Sequence, residues 1–243
     1  MPPTPPVLSP ELQRSLKRVG DALAAERDVA GDLALVVGGL NALQPAHLAR
    51  AEREIFEAAR LYHAPWGTIE GLARRRLEAR RRLACFPGLE YVYLFHRDGH
   101  LREAALDAIA GGLPSAFLFA AVGARLNDWV PQVRAAAAEC AARNFPATDA
   151  AIIAEAGLAL LPRESSWTRW RDERAMLARA LDRADVAALL TQAVIARPTG
   201  PLATVLRFAL RSDRLDPHLE RIFREAAQPA VRALAAQGAT SRP

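Results

Sequence analysis

Leu126-Asn127-Asp128-Trp129-Val130-Pro131-Gln132-Val133-Arg134-Ala135-Ala136-Ala137 repeats, at an offset of 32 residues, the pattern of Leu94-Phe95-His96-Arg97-Asp98-Gly99-His100-Leu101-Arg102-Glu103-Ala104-Ala105. A leucine, an aliphatic-Arg pair and a double alanine recur in register, and a turn-forming Gly or Pro stands three residues before each Arg. A fixed period of this size marks a repeat architecture: one supersecondary unit cannot bury its apolar face alone, so copies stack.

The echo continues outward. Arg174, Arg207 and Arg232 occupy comparable places, so that the spacings from Arg102 onward are 32, 40, 33 and 25. Gln228-Pro229-Ala230-Val231-Arg232-Ala233-Leu234 follows Val130-Pro131-Gln132-Val133-Arg134-Ala135-Ala136 closely. Before residue 88 the signature is absent.

Half of the 243 residues are apolar and only 6% aromatic, with Ala, Leu and Arg dominant, which favours helix over sheet. No run alternates apolar and polar residues long enough for a strand, so the expected class is all-α. Ser9-Pro10-Glu11 reads as an N-cap with Pro at the first helical position, opening a helix towards Arg27. Asp32 caps a helix over 33–43, another follows Pro45 to Tyr62, and Thr68 caps an Arg-rich helix ending near Cys85. From residue 88 the helices pair: 88–96 with 99–110, 114–126 with 131–143, 148–161 with 166–182, 184–197 with 201–212, and 217–226 with 229–237. The domain reading is a Pro-rich disordered leader over 1–8, an N-terminal helical segment over 9–87 acting as a cap or as degenerate repeats, repeats over 88–238, and a tail over 239–243.

The run Asp128-x-x-Pro131-x-Val133-Arg134-x-Ala136-Ala137 resembles the second helix of HEAT repeats, and the 95–110 unit is similar, with His96 in place of the Asp. The resemblance implies a right-handed α-solenoid of HEAT-like antiparallel helix pairs over about 88–237. It also implies a structural ladder between units, pairing Asp128 with Arg134 or Arg102 and using Arg174, Arg207 and Arg232 likewise. For function it implies a non-catalytic scaffold or adaptor that binds a protein partner on its concave surface.

The net charge of +5 and pI near 10 rest on arginine, since Lys17 is the only lysine, a skew that GC-rich coding sequence of bacterial type produces. The concentrated basic feature is Arg74-Arg75-Arg76-Leu77-Glu78-Ala79-Arg80-Arg81-Arg82. On a helix, Ile69, Leu72, Ala73, Leu77, Ala79, Leu83 and Ala84 form an apolar arc, with Arg74, Arg75, Arg81 and Arg82 outside it. Arg76 and Arg80 project from the middle of that arc and require carboxylate partners or a groove. Trp167-Thr168-Arg169-Trp170-Arg171-Asp172 places two indoles one helical turn apart. The alkylpurine DNA glycosylases built from HEAT-like repeats use Trp, Asp and Arg on a basic concave face. That similarity implies the alternative, a nucleic-acid binder using the 74–82 arginines with Trp167, Arg169, Trp170 and Arg171.

His96 and His100 have the spacing of a metal pair, but Asp98-Gly99 between them reads as a turn, so no metal site is expected. Cys85 and Cys140 read as small apolar fillers, and no Gly-rich phosphate loop, Gly-x-Ser-x-Gly elbow or His-Glu-x-x-His helix occurs. The expectation is therefore no enzyme and no cofactor. The uncharged run from Ala108 to Ala124 is broken by Gly111, Gly112 and Pro114 and is shorter than the roughly 20 residues that span a bilayer. With no secretory signal visible, a cytoplasmic protein without a membrane partner is expected.

Overall fold

The computed structural model describes residues 5–61, 69–164 and 166–240, apart from the side chains of Ile69, Glu70, Leu72 and Arg75. Among them the chain is all-α. Its helices are α1 (Pro10–Ala24), α2 (Ala30–Asn41), α3 (Leu48–Ala58), α4 (Ile69–Cys85), α5 (Leu89–Tyr93), α6 (Gly99–Ala108) and α7 (Ala116–Arg125). There follow α8 (Pro131–Asn144), α9 (Ala150–Glu164), α10 (Arg174–Leu181), α11 (Ala184–Ala196), α12 (Leu202–Ala209), α13 (Leu219–Glu225) and α14 (Pro229–Thr240). Short 3-10 turns at Pro45–His47 and Asp216–His218 lead into α3 and α13. None of these helices is long and apolar enough to cross a membrane.

The helix starts follow local chemistry. Ser9 Oγ accepts from the Leu12 amide and Ser115 Oγ from that of Leu118, at 3.2 Å each, while Asp98 accepts from the His100 amide at 3.0 Å. Pro10, Pro131 and Pro229 stand at first helical positions, where no amide proton is needed. Asp32 is not the cap expected of it. α2 begins earlier, with Asp28 accepting from the Ala30 amide at 2.8 Å, and Asp32 lies in the first turn, paired with Arg18 at 2.7 Å.

Two other expectations need correction. Leu8, assigned to a disordered leader, is buried in the core, and the amides of Val7 and Leu8 donate to the Glu54 carboxylate at 2.9–3.0 Å. The helix expected over 166–182 starts only at Arg174. Its first part is irregular because side-chain acceptors take its backbone donors: Asn127 Oδ1 accepts from the Arg169 amide at 2.9 Å, and Glu173 from that of Arg171 at 2.8 Å. The expected Thr68 cap, the His63–Gly67 break, leader residues 1–4 and tail residues 241–243 lie outside the described residues.

Helices α4, α6, α8 and α10 touch in that order, and α7, α9, α11 and α13 form a second sequence of neighbours. Pairs α7/α8 and α9/α10 join the two, α5 packs on α6 and α14 on α13, while α12 packs on α9 and α14. Close approach is possible because the contacting faces carry small residues, with Ala104 and Ala105 of α6 and Ala136, Ala137 and Ala141 of α8 all buried.

The N-terminal segment packs sideways: α2, α3 and the 45–47 turn rest on α7, and that turn also reaches α9. Where α1 crosses the end of α3, a Cβ on Gly20 would stand 2.2 Å from the Ala59 carbonyl oxygen, so only glycine fits. α7 is thereby enclosed, with eight of its ten residues buried, Phe117 to Gly123 and Arg125. This accounts for the uncharged stretch from Ala116 to Ala124: a helix apolar all round is an internal helix.

Candidate interaction cleft at Trp129

The recurring arginine works as a clamp. Arg102 Nη1 donates to the carbonyls of His96 at 2.8 Å and Arg97 at 2.9 Å, closing the turn before its own helix. Arg134 does the same to the Asp128 carbonyl at 2.9 Å, and Arg232 to those of Ala226 at 2.6 Å and Ala227 at 3.4 Å. In each case the arginine is the fourth residue of its helix. Arg174 and Arg207 do not belong to this set, contrary to expectation. Arg174 opens α10 and pairs instead with Glu164, while Arg207 is the sixth residue of α12, exposed, and the Pro201 carbonyl it would need accepts from the Val205 amide.

The other edge of the clamp reaches the next unit. Asp128 receives Arg102 in bidentate fashion at 2.8 and 3.0 Å, and both side chains are almost fully buried. Arg76 meets Asp98 at 2.9 and 3.4 Å, and Arg134 meets Glu173 at 3.4 Å. The partner of Asp128 is thus Arg102, while Arg134 holds only its backbone. Burial by itself would raise the Asp128 carboxyl. The Arg102 hydrogen bonds, the Val130 amide and the charges of Arg125 and Arg102 outweigh that and hold it below the usual carboxylate range. Asp98 is likewise lowered, its burial outweighed by the Arg76 hydrogen bond, the His100 amide and the neighbouring charges.

A further row of staples was not anticipated. Arg143 donates to the Leu106 carbonyl at 3.0 Å, Arg183 to those of Phe145 at 3.3 Å and Thr148 at 2.9 Å, and Arg214 meets Asp182 at 2.8 Å. These three tie the far ends of neighbouring units. Their spacings of 40 and 31 run beside the 40 and 33 of Arg134, Arg174 and Arg207, which is the signal the sequence held.

At Asp128 the ladder opens onto the surface. Arg125 Nη1 donates to Asp128 at 3.1 Å, and Nη2 bonds Glu52 of α3. Burial would lower the Arg125 guanidinium, but Glu52 and Asp128 outweigh it and raise it, so Arg125 is held between two carboxylates. This network floors a cleft of about 580 Å³ between α3, the turn before α6 and the turn before α8. Phe95 forms part of its base, and Phe56, Arg53, Arg97 and Trp129 its walls. Trp129 is 69% exposed, with the Arg102 guanidinium 5.9 Å from its ring centroid, and Arg97 stacks over Phe56 at 4.7 Å. Trp129 was visible in the sequence as an indole in a turn among polar and turn-forming neighbours. Its companions were not, because α3 and α7 meet across 73 residues between Glu52 and Arg125.

The residues singled out earlier are placed elsewhere. On α4 the buried stripe is Ala79 and Leu83, while Ala73, Leu77 and Ala84 of the expected arc are exposed, because only one edge of this helix rests on α5 and α6. Arg76 has its carboxylate, but Arg80 is exposed. The more enclosed arginine is instead Arg82, half-buried, which donates to the Leu23 carbonyl at 3.0 Å and pairs with Glu78. Arg74 and Arg81 are exposed, and the Arg75 side chain lies outside the described residues. Trp167 and Trp170 meet edge to face at 4.8 Å, with Trp170 buried and Trp167 packed on the core, so they anchor the 166–173 segment. Arg169 and Arg171 are exposed beside Arg134 around a hollow of about 310 Å³. They stand at the opposite end of the α4–α6–α8–α10 row from Arg74 and Arg81, three helix spacings or roughly 25–30 Å away. His96 Nδ1 accepts from the Asp98 amide at 2.9 Å, and His100 lies beside Glu103 at 3.6 Å, so the turn divides the two histidines. Burial pushes the Cys140 thiol up to about 11, as suits an inert filler, whereas Cys85 is exposed and is not the core filler expected. Compared with family models, curated proteins and solved structures, the chain matches none.

Proposed function

We propose that this chain is a HEAT-like α-solenoid serving as a non-catalytic adaptor, and that its partner is a protein seated at the Trp129 cleft. The observation that carries this reading is the exposure of Trp129 on a turn made rigid from below by buried ion pairs. A large aromatic left in water beside a stacked arginine is the composition of interface hot spots, and a preformed wall loses little conformational entropy on binding. The two rows of helices and the arginine clamps support the solenoid part of the reading. The docking place moves from the concave face to the edge where paired helices connect.

The nucleic-acid reading, with lesion excision as its enzymatic form, draws less support. The exposed arginines of α4 and of the 166–173 segment are separated along the row, and Glu103, Asp107 and Glu139 lie on the helices between them. A phosphate backbone is held by cations that follow it without such interruption. Affinity purification from the native host tests the proposal. The full chain is expected to recover a stoichiometric protein, and Trp129→Ala to lose it while its circular dichroism stays unchanged. Recovery of no partner, or one retained equally by Trp129→Ala, would overturn the assignment.

A further inference from the structure

The cleft around Trp129 has an uneven charge. Arg102 and Arg125 are matched by Asp128 and Glu52 inside the buried network. Arg53 and Arg97 also line the cleft and are exposed, and among the described residues no carboxylate forms an ion pair with either. Two uncompensated guanidinium groups therefore face the same space as two aromatic rings, Phe56 and Trp129. Arg97 lies over the Phe56 ring at 4.7 Å, which holds its guanidinium at the cleft while its N–H groups stay able to take a two-pronged carboxylate contact.

We propose that this cleft binds an acidic peptide segment, with carboxylates on Arg53 and Arg97 and a neighbouring apolar side chain against Trp129. The inference rests on the adaptor reading above and adds the chemistry of the partner. A peptide fits better than a nucleic acid because Glu52 also lines the cleft and is 37% exposed. Its carboxylate accepts from the backbone amides of a peptide, donors that a phosphodiester backbone does not carry. The floor stays intact on binding, since Asp128 already accepts from Arg102 twice, from Arg125 and from the Val130 amide. Specificity is thus left to the two arginines on the rim.

Fluorescence anisotropy with three labelled heptapeptides tests this. Each has a central Phe, flanked by Asp and Glu in the first, Asn and Gln in the second, and Lys in the third. The acidic peptide is expected to bind at least about tenfold more tightly than the neutral one, the basic one not at all, and added salt to weaken the acidic complex. Arg53→Ala with Arg97→Ala is expected to abolish the acidic preference without changing the circular dichroism. Arg53→Glu with Arg97→Glu is expected to transfer the preference to the Lys peptide. Equal binding of acidic and neutral peptides would overturn the charge assignment, and the adaptor reading would stand if Trp129→Ala still lost the recovered partner. No binding of the acidic peptide, or binding indifferent to both arginine pairs, would overturn the site. An oligothymidylate that binds more tightly than the acidic peptide and depends on Arg53 and Arg97 would assign the cleft to nucleic acid instead.

Discussion

Asp128 is the residue on which most of the central geometry converges, since its two carboxylate oxygens take four hydrogen bonds from three residues. Replacing it with Asn leaves Arg102 and Arg125 buried without their common counter-charge, a loss expected to cost about 3–5 kcal/mol. Urea unfolding should show this as a lower midpoint at unchanged slope. The pH dependence has a definite sign. The folded-state carboxyls of Asp98 and Asp128 are held below their ordinary value, so their contribution is complete above about pH 4 and is lost as pH falls through the lowered values. Asp128→Asn should therefore be less stable than the parent at neutral pH and should show a shallower loss of stability on acidification.

At the scale of the element, the recurring arginine is stabilising only where the helix begins three residues before it. Arg102→Ala is expected to cost about 3–5 kcal/mol, because it strips a buried carboxylate of its bidentate partner and two carbonyls of their donor. Arg207→Ala is expected to stay within about 0.5 kcal/mol, and paired thermal melts separate the two cases. The helices themselves were largely legible, since Pro, Gly and capping residues announce most boundaries. The exception at 166–173 depends on Asn127, which lies in a turn 42 residues from Arg169, and no local pattern reports such an acceptor. For α4 the periodicity located an apolar arc but not which part of it a neighbour would cover. Of the five arginines expected to form one structural set, Arg102, Arg134 and Arg232 do so and Arg174 and Arg207 do not; the cleft was not legible, because Phe56 and Arg53 reach it only through the docking of α3.

In the whole molecule, the N-terminal helices pack along the rows of helices that follow them. Arg82, Arg125 and Arg163 bind Leu23, Glu52 and Ala46 respectively, so three arginines from separate helices hold the N-terminal segment along the row. A chain lacking residues 1–61 would leave the buried helix α7 without the cover of α2 and α3. Such a chain is expected to associate on purification, which size-exclusion chromatography would show as a shift from the elution position of the full chain. A single species eluting as a smaller compact monomer would contradict the role given to the cover.

The enclosure of α7 also bears on how the chain emerges from the ribosome. Synthesis proceeds from the N-terminus, and α1, α2 and α3 precede α7 in the chain. The surface that receives this deeply buried helix is therefore made before the helix is. A nascent α7 meets a waiting partner at once, and α8 and α9 complete its surroundings as they follow. Had the same cover been encoded at the C-terminus, α7 would have remained open for the time taken to translate the rest of the protein.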